Sequence, residues 1–241
     1  MKLKAIAVIV AGTALSLGLA GPALASPASH AAKPAPQVTG SRLQSALLPA
    51  SAFGDGFTVT QRLNTGSKLW STKARIKPSS LSCQNFENYI FVGGFGNTAG
   101  AVDGIDNPNP DLADYPSVVL AGDETVLQFN TAKAAASFYS QAYTRYKQCS
   151  AFTDNDPVVD LTLELTTQSL SSTTINKNKA FQLIQYVDIA ALPVANFYLN
   201  TAVVLSGTNV YTIDDLDGTN DPISASLLGS LVERVQALYK H

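Results

Sequence analysis

The chain has 241 residues, of which 46% are hydrophobic and 14% are charged, and its formal net charge at neutral pH is −2. This mildly acidic balance argues against nucleic acid and anionic lipid as partners, because both attract clusters of positive charge. The chain has two histidines, and neither His30 nor His241 falls in a predicted helix or strand. We therefore do not expect a Ser-His-Asp or Cys-His nucleophile or a histidine zinc site.

The first 25 residues have the parts of a secretory signal peptide. Lys2 and Lys4 supply a positive start, residues 5–19 are apolar and uncharged, and residues 23–25 (Ala-Leu-Ala) form a small-x-small cleavage site. The apolar run is shorter than the ~20 residues that a spanning helix needs. We therefore expect a secreted, extracellular protein without a membrane anchor, whose mature chain starts at Ser26 and has a net charge of about −4.

The remaining chain divides into a short leader and one domain. Residues 26–40 are rich in proline and alanine and are expected to be a flexible leader. Residues 41–241 are long enough to bury a sizeable core as a single domain. They contain the chain's two cysteines, Cys83 and Cys149. A single cysteine pair in an exported protein indicates a disulfide, and we expect one here.

The first part of the domain alternates short elements with irregular chain. A helical segment is predicted over 41–48, where Pro49 ends it, and alternation predicts a strand over 57–63. Helical spacing predicts a short helix over 81–91. Residues 93–116 are rich in Gly, Asn, Asp and Pro, which predicts a long loop.

The middle of the domain carries the clearest pattern. Two β-rich runs, 117–121 and 124–129, are joined at Gly122-Asp123 and predict a hairpin. Asn130 or Thr131 then caps a helix whose stripe of alanines and tyrosines has three- and four-residue spacing. This stripe could line a ligand site, but its spacing is more typical of a core-facing surface. Its members are Ala132, Ala135, Ala136, Tyr139, Ala142, Tyr143, Tyr146 and Cys149.

The C-terminal part predicts further strands and a last helix. Leucines alternate with polar residues over 161–166, residues 181–188 are a second strand candidate, and runs 197–205 and 210–214 predict a hairpin. Pro222 is expected to open an amphipathic terminal helix. Strands joined by short turns favour an antiparallel sheet. We therefore predict an α+β fold, with helices packed mainly on one face of that sheet.

Two acidic runs could bind calcium, which prefers clustered oxygen ligands. The weak candidates in the second run are Asp215, Asp217 and Asp221. However, Gly218 comes too early for an EF-hand loop, and no glutamate closes the coordination sphere. Turn chemistry explains both runs, so neither a metal nor a cofactor is expected. The first run consists of Asp103, Asp106, Asn107, Asn109, Asp111 and Asp114.

The order of the elements resembles a known family. The run VVLAGDETVLQF leads into the helix AAASFYSQAYTRYKQC, and an earlier Leu47-Leu48-Pro49 segment precedes the first cysteine. Over roughly residues 42–239, the chain resembles the extracellular sensor domain of the mycobacterial Ser/Thr kinase PknH and related actinobacterial secreted proteins. The resemblance implies an α+β domain with an antiparallel sheet, a helix-tethering disulfide, a cleft for an unidentified ligand, and no enzymatic activity.

The sequence therefore favours a secreted, non-catalytic ligand-binding or sensor-type domain. Its expected partner is an unknown small molecule or cell-envelope ligand, bound in a cleft between the polar face of the sheet and the 93–116 loop. One alternative is a secreted glycan hydrolase that uses Asp and Glu only, and that needs two carboxyl groups across a cleft. Another is a cell-surface structural or interaction protein, which predicts a large exposed apolar patch.

Overall fold

The computed structural model describes residues 36–67, 77–90, 94–107, 119–156, 161–189 and 197–240. The α-helices of this part are α1 (Gly40–Ser45), α2 (Cys83–Ile90), α3 (Ala132–Gln148) and α4 (Ala225–Ala237). Short 3₁₀ turns cover Ala50–Ala52 and Pro78–Ser80. The strands are β1 (Thr58–Asn64), β2 (Ala99–Asp106), β3 (Val119–Gln128), β4 (Ala151–Asp156), β5 (Leu161–Ile175), β6 (Asn178–Ile189), β7 (Phe197–Ser206) and β8 (Asn209–Asp217).

The described strands form one antiparallel sheet in the order β1-β2-β3-β8-β7-β6-β5-β4. The strands β1 to β3 and the strands β4 to β8 are two meanders. They meet where β3 pairs with β8, with Gln128 opposite Asn209 and Val119 opposite Asp217. The predicted α+β class with an antiparallel sheet is confirmed.

Helices cover both faces of the sheet, because successive side chains of a strand point to opposite sides. The prediction that they lie mainly on one face therefore does not describe this arrangement. We call the side packed by α1 and α4 the α4 face; its strand residues include Ala101, Val126, Tyr211, Val204 and Ala180. We call the side packed by α2 and α3 the α3 face; its strand residues include Val102, Leu127, Val210, Val203 and Phe181.

The helix α3 confirms the clearest sequence pattern. Thr131 is its N-cap and accepts a hydrogen bond from the backbone N–H of Ala134 over 3.1 Å. The buried Tyr146 packs edge-on against Phe181, with ring centroids 5.8 Å apart. The tyrosine stripe therefore belongs to the core, as its spacing indicates.

The predicted disulfide is also present. Cys149 ends α3 and is bonded to Cys83, which begins α2, across a sequence separation of 66 residues. The guanidinium of Arg145 also donates a hydrogen bond to the carbonyl oxygen of Leu81, just before α2. The short helix α2 is thus held against α3 both covalently and by a charged donor.

The hairpin predicted at Gly122-Asp123 is wrong. Residues 119–128 form one continuous strand, in which Gly122 lies opposite Ile105 of β2 and Asp215 of β8. A Cβ atom at Gly122 would lie 2.5 Å from the carbonyl oxygen of Asp214, so glycine is needed for close approach of the two strands. The Gly-Asp pair therefore serves strand packing and does not form a turn.

The predicted 93–116 loop is wrong in its first half. Residues 99–106 are β2, and every residue of this strand is buried. The helix α1 packs on one side of the strand, and the cluster formed by α2 and α3 packs on the other. Gly104 has a packing role like that of Gly122, since its Cβ would lie 3.1 Å from Oδ1 of Asp123. Residues 108–118 lie outside the described part.

Several boundaries also differ. The strand β4 was missed, and β5 continues nine residues beyond the predicted 161–166 run, as far as Ile175. The helix α4 begins at Ala225 with Ser224 as its N-cap, so Pro222 does not open it.

At the other end of the domain, the backbone N–H of Val38 donates to Oε1 of Gln128 over 3.0 Å. The last residues of the predicted leader are thus packed on the sheet, whereas the signal peptide prediction and residues 26–35 lie outside the described part.

Candidate functional site

A groove opens on the α4 face, between the chain that follows α1 and the first turns of α4. Its volume is about 430 Å³, which is within the range of small-molecule sites. Asp215 of β8 contributes a carboxyl group to it. The lining residues are Leu48, Ala52, Phe53, Asp215, Ser224, Ser226, Leu227 and Ser230.

Two hydrogen bonds fix the wall formed by the chain after α1. The backbone N–H of Leu48 donates to Oε2 of the buried Glu124 on β3 over 3.0 Å. Nε of Arg234 on α4 donates to the carbonyl oxygen of Ala46, also over 3.0 Å. These bonds tie residues 46–48 to both the sheet and α4, and they fix the position of this wall relative to α4.

The opposite wall is the hydroxyl-rich start of α4. Ser224 caps the helix by accepting from the backbone N–H of Ser226, and the two hydroxyl oxygens are 2.6 Å apart. Ser226 and Ser230 are four residues apart and therefore lie on the same side of the helix. All three serines are exposed, so their oxygens can contact a ligand.

The carboxyl group of Asp215 is held by one amide nitrogen that it shares with Asp217. Nδ2 of Asn200 donates to Oδ1 of Asp215 over 2.9 Å and to Oδ1 of Asp217 over 3.1 Å. The pKa of Asp215 is raised to about 7, chiefly by burial and to a smaller extent by the neighbouring charge of Asp217, against the lowering effect of the hydrogen bond from Asn200. Asp217 has two more donors, the backbone N–H and the hydroxyl of Thr219, both at 2.9 Å.

Behind the groove, Glu124 is fully buried. Burial raises its pKa to about 8, against the smaller opposing effect of the hydrogen bond from Leu48. Its second oxygen, Oε1, accepts no hydrogen bond in the described part of the chain. A protonated Glu124 is therefore the dominant form at neutral pH, and the carboxyl acts as a neutral support for the Leu48 wall.

A second polar region lies on the α3 face, beyond the aromatic cluster. Asp123 and Asp214 are direct partners in the β3–β8 pairing. Thr125, Thr201 and Gln185 lie nearby on the same face, and each is buried with side-chain polar atoms that make no hydrogen bond among the described residues. This region borders the end of β2, where the expected cleft would lie.

The structure separates the residues that the sequence suggested for calcium. It brings Asp215 and Asp217 together around Asn200, whereas Asp221 is exposed beyond the end of β8. From the first acidic run, Asp103 and Asp106 are buried in β2. Asn107 follows this strand, and Asn109, Asp111 and Asp114 lie outside the described residues. Within the described ranges, no three His, Cys, Asp or Glu side chains are grouped so that they could hold a metal ion.

Sequence reasoning missed the groove because its walls come from separate parts of the chain. The residues following α1, the end of β8 and the start of α4 meet only in the folded sheet. One local signal was available, namely the serines at 226 and 230 on one side of the amphipathic helix α4. Such a pair is common on exposed helices, so it does not by itself predict a site.

Comparisons with known proteins support the fold. No protein-family model and no curated protein sequence matches the chain. A search of solved structures finds the extracellular domain of PknH from Mycobacterium tuberculosis, with a TM-score of 0.57 and 14% identity, covering 85% of this chain and 98% of that domain. The expected resemblance is therefore confirmed at the level of the fold.

A second solved structure, a putative uncharacterized protein from Mycobacterium smegmatis, covers 81% of this chain and 95% of its own. Its identity is 10% and its TM-score is 0.38, which is too low to support a shared fold.

None of the described helices combines the length and the hydrophobicity that crossing a bilayer requires.

Proposed function

We propose that this protein is a secreted, non-catalytic ligand-binding domain of sensor type, and that its ligand site is the groove on the α4 face. The observation that carries the proposal is the groove itself. It joins an apolar wall at Leu48 and Phe53 to a hydroxyl wall on α4, with a carboxyl group between them. Small-molecule sites combine apolar side chains with a few convergent polar groups, and both kinds line this groove.

The extracellular location is supported by two independent features. The first 25 residues have the composition of a signal peptide. The bond between Cys83 and Cys149 joins two helices of the core, and structural disulfides persist in oxidising compartments. N-terminal sequencing of the protein from culture medium should give Ser26 as the first residue. Retention of the whole protein inside the cell would contradict this location.

The absence of catalysis is proposed from the lining of the groove. Glycan hydrolysis without histidine requires two carboxyl groups that face each other across the substrate. Among the described residues that line the groove, Asp215 alone carries a carboxyl group. The neighbouring Asp217 is occupied by Asn200 and Thr219, and it lies on the same strand rather than on the opposite wall.

The test is a ligand screen on matched variants. Thermal-shift and native mass spectrometry should identify stabilising ligands among small metabolites and soluble cell-envelope glycans. Ser230→Phe fills the groove from an exposed position, so it should abolish the stabilisation, whereas Ser140→Phe on the exposed side of α3 should not. Binding that survives Ser230→Phe would place the ligand elsewhere. Release of reducing sugar from any glycan in the screen would favour the hydrolase instead.

A further inference from the structure

The hydrogen bonds at the groove leave one carboxylate oxygen without a donor. Asn200 supplies a single nitrogen to two carboxyl groups, and Asp217 receives two additional donors from Thr219. Asp215 receives the Asn200 bond alone, so its Oδ2 accepts no hydrogen bond from the described part of the chain. A carboxylate that lines an open groove with a vacant oxygen is suited to a ligand that donates.

The charges around Asp215 are uncompensated. No basic side chain is present among the eight described lining residues. The ion pair formed by Arg62 and Asp103, at 3.5 Å, lies on β1 and β2 instead. The charged side chain that acts on Asp215 is Asp217, which has the same sign.

The other titratable or charged groups packed around this end of the α4 face do not neutralise it. Asp221, which follows β8, acts on Asp217 and adds negative charge. On β3, Glu124 is neutral when protonated, and Arg234 of α4 acts on Glu124 and bonds to the chain after α1. The positive N-terminal end of α4 corresponds to about half a charge, which is less than the charge of the two aspartates together. The groove therefore repels anions.

The walls add an apolar requirement. Leu48, Phe53 and Leu227 line the groove beside the carboxyl group. The ring of Phe53 forms a tilted pair with the ring of Phe57, with centroids 6.5 Å apart. An aromatic ring beside a carboxylate is a favourable environment for an ammonium group on a hydrocarbon stem.

From these observations, and resting on the proposed function, we propose that the groove binds a small primary amine with an apolar stem. The ammonium group donates to Oδ2 of Asp215 and to a serine hydroxyl of α4. The stem packs against Leu48, Phe53 and Leu227. Neutral alcohols of the same shape lack the charge that offsets the two aspartates, and they bind more weakly.

The binding should depend on pH in a defined direction. An ammonium group requires ionised Asp215, whose pKa is raised to about 7. The affinity should therefore increase from pH 6 to pH 8, where alkylammonium ions are still protonated. The complex should also release close to one proton at pH 6, which calorimetry detects by comparing buffers of different ionisation enthalpy.

The experiment uses isothermal calorimetry on the purified protein with n-hexylammonium chloride, n-hexanol, sodium hexanoate and calcium chloride. We expect hexylammonium to bind at least tenfold more tightly than hexanol, and hexanoate not to bind. Asp215→Asn keeps an acceptor for Asn200 and should weaken hexylammonium at least tenfold and remove the pH dependence. The matched control, Asp188→Asn, changes an exposed aspartate on the same face and should change neither.

Two outcomes separate this inference from the proposed function. In the first outcome, Ser230→Phe abolishes binding, but hexanol binds as tightly as hexylammonium or Asp215→Asn has no effect. The groove is then a ligand site, and the proposal of an amine ligand is wrong. If Ser230→Phe leaves all binding unchanged, the groove itself is wrong. Binding of calcium that Asp215→Asn removes, without binding of hexylammonium, overturns the amine in favour of a cation site. Phe53→Leu provides a second variant, and it should weaken hexylammonium more than hexanol.

Discussion

The two faces of the sheet are built from different chemistry. On the α3 face, aromatic rings surround Phe181, and the Cys83–Cys149 bond closes the layer. On the α4 face, a largely aliphatic cluster packs beside two carboxyl groups with raised pKa values, Glu124 and Asp215. The contrast suggests that the α3 face fixes the domain through its rings and its disulfide, whereas the α4 face carries the proposed ligand groove. Carboxyl groups with raised pKa values lie on both faces, since burial also raises the pKa of Asp123 on the α3 face to about 7.

The strongest test of this contrast removes the disulfide. The double variant Cys83→Ala/Cys149→Ala should lose about 4 kcal/mol of unfolding free energy, since the bond closes a loop of 66 residues. Urea denaturation measures the loss. Reductant should destabilise the wild-type protein to a similar extent and leave the variant unchanged. A loss below about 1 kcal/mol would mean that the α3 face does not depend on its covalent link.

The aromatic layer should also be sensitive to truncation. Phe181→Ala removes a fully buried ring that contacts Tyr139, Tyr143 and Tyr146. We expect a loss of about 3 kcal/mol, at the low end for such changes, because the two partly exposed tyrosines can move into the space. Val204→Ala on the α4 face is the comparison, and chemical denaturation should show a smaller loss. Because Val204→Ala removes fewer atoms, an equal or larger loss for this variant would contradict a greater role of the aromatic layer in stability.

The α4 face should make stability depend on pH. The folded pKa of Glu124 is raised to about 8, so folded protein holds a proton that the unfolded chain loses above its ordinary pKa near 4.5. The free energy of unfolding should therefore fall as pH rises between these values, by about 1.4 kcal/mol per pH unit for each such carboxyl group.

Glu124→Gln keeps an acceptor for Leu48 and should reduce this slope by about 1.4 kcal/mol per pH unit, as measured by urea denaturation from pH 5 to pH 8. Asp123 and Asp215, whose pKa values are also raised, should keep the rest of the slope below pH 7. The matched control Glu164→Gln changes an exposed glutamate and should keep the slope of the wild-type protein. A slope that is the same in Glu124→Gln and in the wild-type protein would show that Glu124 is ionised in the folded state.

The smallest expected difference lies in the helix caps. Thr131→Ala should cost about 1 kcal/mol, because the N–H of Ala134 loses its partner at 3.1 Å. Ser224→Ala should cost about 0.5 kcal/mol, since its bond to Ser226 is longer, at 3.3 Å. Thermal denaturation of both variants measures the difference. The reverse order would mean that α4 depends on its cap more than α3 does.

Elements with a regular period could be predicted from the sequence, and elements that depend on contacts with distant residues could not. The helix α3 repeats its apolar residues at 3.6-residue spacing, and β7 and β8 are β-rich runs on either side of a short turn, so local pattern was sufficient. The strand β2 (AGAVDGID) contains the glycines and aspartates of a loop. A Cβ atom at its Gly104 would crowd the Asp123 side chain on the neighbouring strand, and no local pattern records this contact.

The candidate site was beyond local reasoning for the same reason. Asp215 was recognised as one of several clustered acids, but the cluster was assigned to a turn. In the structure, residues 214–217 continue β8, and Asn200 from β7 joins two of them. Whether an aspartate caps a turn or lines a groove depends on which strand pairs with its own. That pairing is set by the fold of the whole sheet and not by neighbouring residues in the sequence.

The join between β3 and β8 has a consequence for biogenesis. The strand β3 pairs with β8, which comes more than 80 residues later in the chain, whereas both cysteines lie before β4. In a chain exported from its N-terminus, as proposed above, both cysteines are translocated before this partner, so the disulfide can form first. The nine residues of β8 join the strands β1 to β3 to the strands β4 to β7, so a chain that ends before residue 209 lacks the strand that connects the two parts of the sheet.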